Sequence, residues 1–148
     1  MSKKDKSLKN LLYFKFLGAL LKKGKKTKAK KILDEVLLKV SKKTNLPVDL
    51  VLYRVFFNLN TFVEVRRVRF KRRSFLVPFN ITFSRRISLI LKWILTSLKE
   101  DKRKISTIDK LSIEIFKIVY KLPSNSMNLK KLNDLQAFSN KANIHFRW

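Results

Sequence analysis

Residues 63–83 read VEVRRVRFKRRSFLVPFNITF. Apolar side chains occupy every second position from Phe75 to Phe83, which is the period of a β-strand with one buried face. Pro78 lacks the N–H group that a sheet ladder needs, so it must lie in an edge strand. Both strands of a two-stranded ribbon are edge strands, and the stretch therefore predicts a β-ribbon over residues 61–83.

Helical spacing surrounds the ribbon on both sides. Three segments before it and three after it repeat apolar residues every three or four positions. Each helical pattern begins at an apolar residue: Leu8, Ala29, Val48, Ile87, Ile108 and Leu129. Gly24 is predicted to be the left-handed residue that ends the first helix, and Thr27 the N-cap of the second. The predicted fold is mainly α, a single helical domain of about six helices with a protruding two-stranded β-ribbon between helices three and four.

Charge and composition limit the function. The chain has 148 residues with 36 Lys and Arg and 10 Asp and Glu, a net charge of +26. Such an excess predicts a polyanionic partner, with nucleic acid first and an anionic membrane surface second. A hydrophobic content of 45% excludes a disordered basic tail. We expect one domain over residues 1–148, with a basic N-terminal arm at 1–7 and a C-terminal tail at 140–148.

Enzyme chemistry is not indicated. The chain has no Cys, one His and two Gly, and its ten carboxylates are scattered. Thiolate zinc sites, Cys nucleophiles and glycine-rich phosphate loops are therefore excluded. No apolar run approaches the roughly 18 residues of a membrane span. The sequence predicts no catalytic residue, no metal site and no cofactor.

Two basic clusters stand out. Residues 22–31 hold seven Lys, which is equally typical of a solvated helix face. Residues 66–73 hold six cations, mostly Arg, at the end of the ribbon, and this density favours phosphate binding. Arg85 and Arg86 continue the charge at the start of the fourth helix, where the helix dipole disfavours cations. We expect an external anionic partner there, reached also by Lys92.

The two tryptophans have different predicted roles. Trp93 lies beside the apolar stripe of its helix and is expected to be buried or half-buried. Trp148 at the C-terminus either docks on the body of the protein or stacks on a partner.

Several segments resemble the universal small ribosomal subunit protein seven family, from about residue 8 to the end of the chain. Their order and ungapped spacing carry the resemblance, together with a C-terminal motif. They are Gly24-Lys25-Lys26-Thr27, Val63-Glu64-Val65, Arg69, Val77-Pro78, Arg85-Arg86, Lys92-Trp93, Asn140-Lys141-Ala142 and His145-Phe146-Arg147-Trp148.

The resemblance implies a structural protein of the small ribosomal subunit. Members of the family bind the 3′ major domain of the rRNA, help assemble the subunit head among neighbouring head proteins, and extend the ribbon toward the exit-site tRNA and mRNA. The implied rRNA-binding residues are Lys22, Lys25, Lys26, Lys28, Arg66, Arg67, Arg69, Arg85, Arg86, Lys92, Lys141, Arg147 and Trp148. The implied tRNA and mRNA side of the ribbon is Lys71, Arg72 and Arg73. Where family members usually have Gly-Gly at the ribbon tip, this chain has Lys71-Arg72.

Composition also bears on location. Residue types with A/T-rich codons are abundant, with 26 Lys, 12 Phe, 11 Ile and 10 Asn, whereas Ala, Gly and Pro total nine. We therefore expect an organelle-encoded protein of the mitochondrial ribosome, with a plastid or the bacterial cytoplasm as the alternative. Three other functions remain open at this point: a non-ribosomal basic helical nucleic-acid-binding protein, a membrane-surface protein and an enzyme acting on RNA.

Overall fold

The computed structural model describes the backbone of residues 3–147 and the side chains of residues 10–147. Six α-helices, a two-stranded antiparallel ribbon and a short 3₁₀ helix make up this part of the chain. The helices are α1 Lys3–Leu20, α2 Lys26–Thr44, α3 Val48–Leu59, α4 Phe83–Glu100, α5 Thr107–Val119 and α6 Asn125–Ser139. The strands are β1 Val63–Phe70 and β2 Arg73–Asn80, and the 3₁₀ helix is Lys141–Phe146. The predicted fold class is confirmed, with the ribbon between α3 and α4.

The main core is formed by α1 to α5. Each helix directs its apolar stripe inward, because the spacing of three and four residues places these side chains on one face. One fully buried residue from each helix illustrates the core: Phe16, Leu33, Leu52, Ile94 and Ile115. A smaller cluster of Ile81, Leu89 and Trp93, with Leu129 of α6 against it, joins the base of the ribbon to α4. Trp93 is buried, as the sequence predicts.

Specific hydrogen bonds connect the helices. The Tyr13 hydroxyl donates to Asp34 Oδ1 at 2.7 Å and so ties α1 to α2. Burial, and next the bond to Asp34, raise the pKa of Tyr13 to about 12. Asn58 Nδ2 donates to the Ile118 carbonyl oxygen at 2.8 Å near the end of α5. Among the described residues, no buried side-chain nitrogen or oxygen lacks a hydrogen-bond partner.

Three predicted boundaries differ from the structure. Helix α1 ends at Leu20, four residues before Gly24, so Gly24 is left-handed as predicted but does not end that helix. Helix α2 begins at Lys26, after an N-cap at Lys25 that makes no side-chain bond, so the predicted Thr27 cap is wrong. The chain turns into α2 through left-handed Lys23 (φ 51°) and Gly24 (φ 72°), which bring it into helical geometry before Thr27 is reached. The predicted ribbon of residues 61–83 is also too long, since β1 begins at Val63 and β2 ends at Asn80. Phe83 continues the alternating pattern but is the first residue of α4, after an N-cap at Thr82 in extended conformation.

The ribbon has a continuous register from Val63 opposite Asn80 to Phe70 opposite Arg73. Lys71 and Arg72 therefore form a two-residue turn. Lys71 adopts a left-handed conformation at φ 52°. Because the turn has only two residues, the strands stay paired as far as Phe70 and Arg73. Cations therefore occupy the ribbon up to its tip.

Helix α6 holds the β1 side of the ribbon. Asn133 Nδ2 donates to the Val63 carbonyl oxygen at 2.9 Å, at the first residue of β1. Thr61 Oγ1 donates to Asp134 Oδ1 at 3.1 Å. Two successive residues of α6 therefore fix the segment through which the chain enters the ribbon.

The C-terminal segment holds the β2 side. Asn143 Nδ2 donates to the Leu76 carbonyl oxygen at 3.1 Å, and Arg147 Nε donates to that of Pro78 at 2.6 Å. These carbonyls are two residues apart and so point to the same edge of β2. The Phe146 ring stacks on Phe75 with centroids 4.5 Å apart. The tail therefore covers part of an edge that β1 leaves unpaired.

We expect Lys71→Gly to stabilise the ribbon by up to about 1 kcal/mol, because glycine adopts a left-handed conformation without the steric cost that a side chain brings. Slower amide hydrogen exchange across β1 and β2 measures the effect. Arg72→Gly is the matched control, since it removes the same charge from the same turn at a residue that is not left-handed. An equal gain in that control contradicts the explanation.

We expect Phe146→Ala to speed hydrogen exchange in the ribbon while the amides of α2 and α5 keep their protection. Loss of the stacked contact with Phe75 costs about 1–2 kcal/mol of ribbon stability. Phe138→Ala provides the comparison, because this α6 side chain is mostly exposed. Equal effects of the two substitutions would show that the tail does not support the ribbon.

Candidate nucleic-acid interface

The Lys-rich turn, residues 22–31, comprises part of the connection between α1 and α2 and the first residues of α2. Its four predicted rRNA-binding residues are all exposed: Lys22, Lys25, Lys26 and Lys28. Lys22, Lys23, Lys25 and Lys28 line a depression together with apolar residues that include Leu20 and Ala29. The first turn of α2 holds no acidic residue. The turn therefore presents several ammonium groups to one side of the molecule.

Strand register sorts the ribbon arginines onto two faces. Residues directly opposite each other in an antiparallel pair project to the same face. Arg67 lies opposite Leu76 and Arg69 opposite Ser74, so the two arginines share one face, where both are exposed. In the described part of the chain, neither is within ion-pair distance of a carboxylate. Their guanidinium groups are available to phosphate.

Arg66 projects to the other face and belongs to a cluster at the base of the ribbon. Its guanidinium carbon lies 5.6 Å from the centre of the Phe79 ring, and that of Arg147 lies 5.8 Å from the same ring. Arg66 also contacts Glu64 at 3.1 Å. The structure therefore brings together Arg66 and Arg147, which are 81 residues apart in sequence.

Glu64 is the carboxylate at the centre of this cluster. Arg85 Nη2 donates to Glu64 Oε1 at 2.6 Å, and Arg66 donates to Oε2. The bond from Arg85, followed by the bond from Arg66, lowers the pKa of Glu64 despite its partial burial. Glu64 belongs to β1 and Arg85 to the first turn of α4, so this ion pair connects the ribbon to the helix.

Arg86 also has partners within the chain. Its Nε donates to the Ile81 carbonyl oxygen at 3.3 Å, and its guanidinium lies 4.2 Å from the centre of the Phe62 ring. The sequence predicts an external anion for both arginines at this helix start. The structure gives each an internal partner, so their position alone does not indicate a ligand.

The ribbon turn places three predicted residues at the tip: Lys71, Arg72 and Arg73 are all exposed. The Lys71 ammonium lies 5.5 Å from the centre of the Phe70 ring. Such a cation held near an aromatic face keeps its charge available to an anion.

Lys92 lies on an exposed groove between α1 and α4. Lys15 of α1 and Lys99 of α4 line the same groove, and the sequence prediction missed both. The spacing of seven residues between Lys92 and Lys99 places them on one face of α4 and could have identified Lys99. Lys15 could not have been found this way, because its approach depends on how α1 packs on α4.

The tail contributes less free charge than predicted. Lys141 is exposed, whereas the Arg147 guanidinium is already bonded to the Pro78 carbonyl oxygen. Trp148 lies outside the described residues. Arg147 therefore has a structural role in holding β2, which its sequence context did not indicate.

The described residues contain neither a cluster of metal-ligating side chains nor a helix that could span a membrane. Among the side chains of residues 10–147, no group of three or more His, Asp or Glu is placed to hold a metal ion. Over the same residues, no helix combines the length and hydropathy that a membrane crossing requires.

We expect Glu64→Gln to lower the free energy of unfolding by about 1 kcal/mol near neutral pH, because two arginines lose their shared anion. A carboxylate with a lowered pKa stabilises the fold above its ordinary value of 4.5. That contribution disappears as pH falls through the lowered pKa, so wild type and variant should converge in acid. Urea titrations across this range measure it.

Glu100→Gln is the control, since this exposed carboxylate has no ion pair among the residues described. Its difference from wild type should stay small at every pH. A Glu64→Gln difference that does not change with pH would contradict the assigned ion pair.

Comparisons with known proteins identify the family of this chain. The model of the family described as "Ribosomal protein S7p/S5e" matches residues 2–141 of this chain. "Small ribosomal subunit protein uS7" of Kosmotoga olearia is 29% identical over 146 residues, covering 97% of this chain and 92% of that protein. The protein of the same name in Petrotoga mobilis is 30% identical over 139 residues, covering 94% and 88%. "Small ribosomal subunit protein uS7m" of Reclinomonas americana is 29% identical over 134 residues, covering 90% and 83%. The chain thus belongs to the ribosomal protein S7p/S5e family.

Proposed function

We propose that this ribosomal protein is a structural component of the small subunit that binds the 3′ major domain of the rRNA and helps to assemble the subunit head. The observation that carries the proposal is the exposed ribbon face with Arg67 and Arg69, whose charges are not neutralised by described carboxylates. The family and the names of the relatives support the ribosomal setting. The choice of rRNA domain comes from the family resemblance.

Charge neutralisation is the proposed mechanism of binding. Cations that contact phosphates release condensed counterions, and this release drives association. The Lys-rich turn, the α1–α4 groove and the ribbon lie on different elements of one packed body. They can therefore contact separate rRNA helices and hold them in a fixed relation. Selectivity then comes from the shape of the folded RNA and not from reading base edges.

The ribbon tip is proposed to approach the exit-site tRNA and the mRNA. A two-residue turn at Lys71–Arg72 presents three successive cations even without the usual glycines. Because α6 and the tail support both strands, we expect the ribbon to keep its orientation when it contacts tRNA or mRNA. Neighbouring head proteins complete the proposed partners.

The mitochondrial ribosome is the proposed location. Codon-biased composition and the relative from Reclinomonas americana, named with the suffix m, support it. Bacterial relatives are similarly close in identity, so a bacterial cytoplasm, or a plastid, is the alternative. Co-sedimentation with small subunits from purified mitochondria distinguishes these locations.

We expect Arg67→Gln with Arg69→Gln to weaken rRNA binding and to reduce the slope of log affinity against log salt by about 2, one for each lost phosphate contact. Filter binding to a 3′ major domain fragment at several salt concentrations measures both quantities. Arg66→Gln should change the slope less, because Glu64 already neutralises part of its charge.

Lys102→Gln with Lys104→Gln is the matched control, since it removes two exposed charges from the α4–α5 loop. Its slope should stay close to that of wild type. If both double variants flatten the salt dependence equally, overall charge and not the ribbon face drives binding.

A further inference from the structure

Glu64 is the only carboxylate in a long cationic stretch of the sequence. Residues 50–99 hold eleven Lys and Arg and no other Asp or Glu. The Glu64 side chain is 12% exposed, whereas those of its partners Arg66 and Arg85 are 49% and 48% exposed. A single, mostly covered anion thus lies beside two half-exposed guanidinium groups where the ribbon meets α4. We call these three residues the Glu64 cluster.

Each arginine of the Glu64 cluster directs two nitrogens at the carboxylate. Arg85 Nη2 donates to Oε1 at 2.6 Å and its Nε to Oε2 at 3.0 Å, which is a bidentate arrangement. Arg66 Nε and Nη2 both donate to Oε2, at 3.2 Å and 3.1 Å. Arginine uses the same pairs of nitrogens to bind phosphate, so the carboxylate occupies positions that an RNA phosphate would otherwise take.

The Glu64 cluster and the arginines assigned to rRNA lie on opposite faces of the ribbon. Glu64 and Arg66 are two residues apart in β1 and project to one face, while Arg67 and Arg69 project to the other. Arg66 and Arg67 are neighbours in sequence, yet only Arg66 is bonded to a carboxylate in the described part of the chain. One face of the ribbon base is therefore neutralised from within, and the other is not.

An internal anion of this kind affects the choice of partner more than it affects stability. Ion pairs between half-exposed side chains contribute little to folding stability. An external phosphate that approaches the two arginines also meets Glu64, and like charges brought together suppress binding of wrong partners. Discrimination between partners often needs such a repulsive element beside the attractive ones. A chain of charge +26 attracts any RNA, whatever its sequence or fold.

We propose that Glu64 is a selectivity residue, which keeps Arg66 and Arg85 from binding the phosphates of unrelated RNA. Strong binding is then confined to RNA whose shape lets it reach Arg67 and Arg69 on the opposite face. The inference rests on the proposed function, because the 3′ major domain is the RNA against which selectivity is defined. An unrelated RNA, held by charge alone, loses two arginines from the surface that it can use.

Binding of the full chain to two RNAs tests the proposal: a 3′ major domain fragment and an unrelated folded RNA of equal length. We expect Glu64→Gln to bind the unrelated RNA about five-fold more tightly and to steepen its slope of log affinity against log salt by up to about 2, one for each released arginine. Affinity for the 3′ major domain fragment should change by less than about two-fold, because its contacts on the opposite face are kept. Filter binding at several salt concentrations measures both affinities, and their ratio, the selectivity, should fall.

Glu100→Gln is the matched control, since it removes the same charge from an exposed carboxylate that has no ion pair among the residues described. It should change both affinities by the same small factor and leave their ratio unaltered. Equal gains for both RNAs in Glu64→Gln overturn the inference, because net charge then explains them. Weaker binding of both RNAs also overturns it and leaves Glu64 a purely structural role. If the wild-type chain itself does not prefer the 3′ major domain fragment, the proposed function fails and this inference with it.

Arg66→Gln and Arg67→Gln give a second test in which Glu64 stays in place. The two arginines are adjacent in β1 and project to opposite faces. Arg66→Gln should lower the affinity for the unrelated RNA by less than about two-fold, and Arg67→Gln by about three- to five-fold, because only Arg67 is available to phosphate. Equal losses from the two substitutions overturn the inference, even where Glu64→Gln fails to fold.

Discussion

Two paired strands without further support are only marginally stable in water, and this limit governs how the protein displays its charge. Repulsion between like charges further destabilises a single orientation of a long ribbon that carries many cations. The chain supports it on both sides. Asn133 of α6 holds the start of β1, while Asn143 and Arg147 hold the carbonyls along β2. The positions of the ribbon cations therefore depend on these side-chain hydrogen bonds to the backbone.

The C-terminal tail also covers part of the open edge of β2. Unpaired carbonyl and N–H groups on an exposed strand invite pairing with another chain. Side-chain donors from Asn143 and Arg147 occupy two of these carbonyls without adding a third strand. Phe146 then covers the Phe75 ring beside them. One short segment therefore protects the edge and shields apolar surface.

The positive charge is divided into two populations. Arg66, Arg85 and Arg86 are engaged within the molecule, and Arg85 joins α4 to the ribbon through Glu64. Arg67, Arg69 and the lysines of residues 22–31 have no described carboxylate partner and are exposed. A count of cations in sequence cannot separate them, since Glu64 meets Arg85 only after the chain has reversed direction at Lys71–Arg72.

Local periodicity determined the elements of this fold. Apolar residues every three or four positions predicted α1 to α5, and alternation with Pro78 predicted a two-stranded ribbon, because both patterns follow from backbone geometry within a few residues. The end of the ribbon and the start of α2 were less predictable, since the pattern extends through Phe83 and a cap at Thr27 competes with one at Lys25. Tertiary structure alone decided which arginines are engaged, that Arg147 supports β2, and that Lys15 joins Lys92 in one groove. Each of these depends on contacts between residues far apart in sequence, and no local pattern of residues encodes the distance between them.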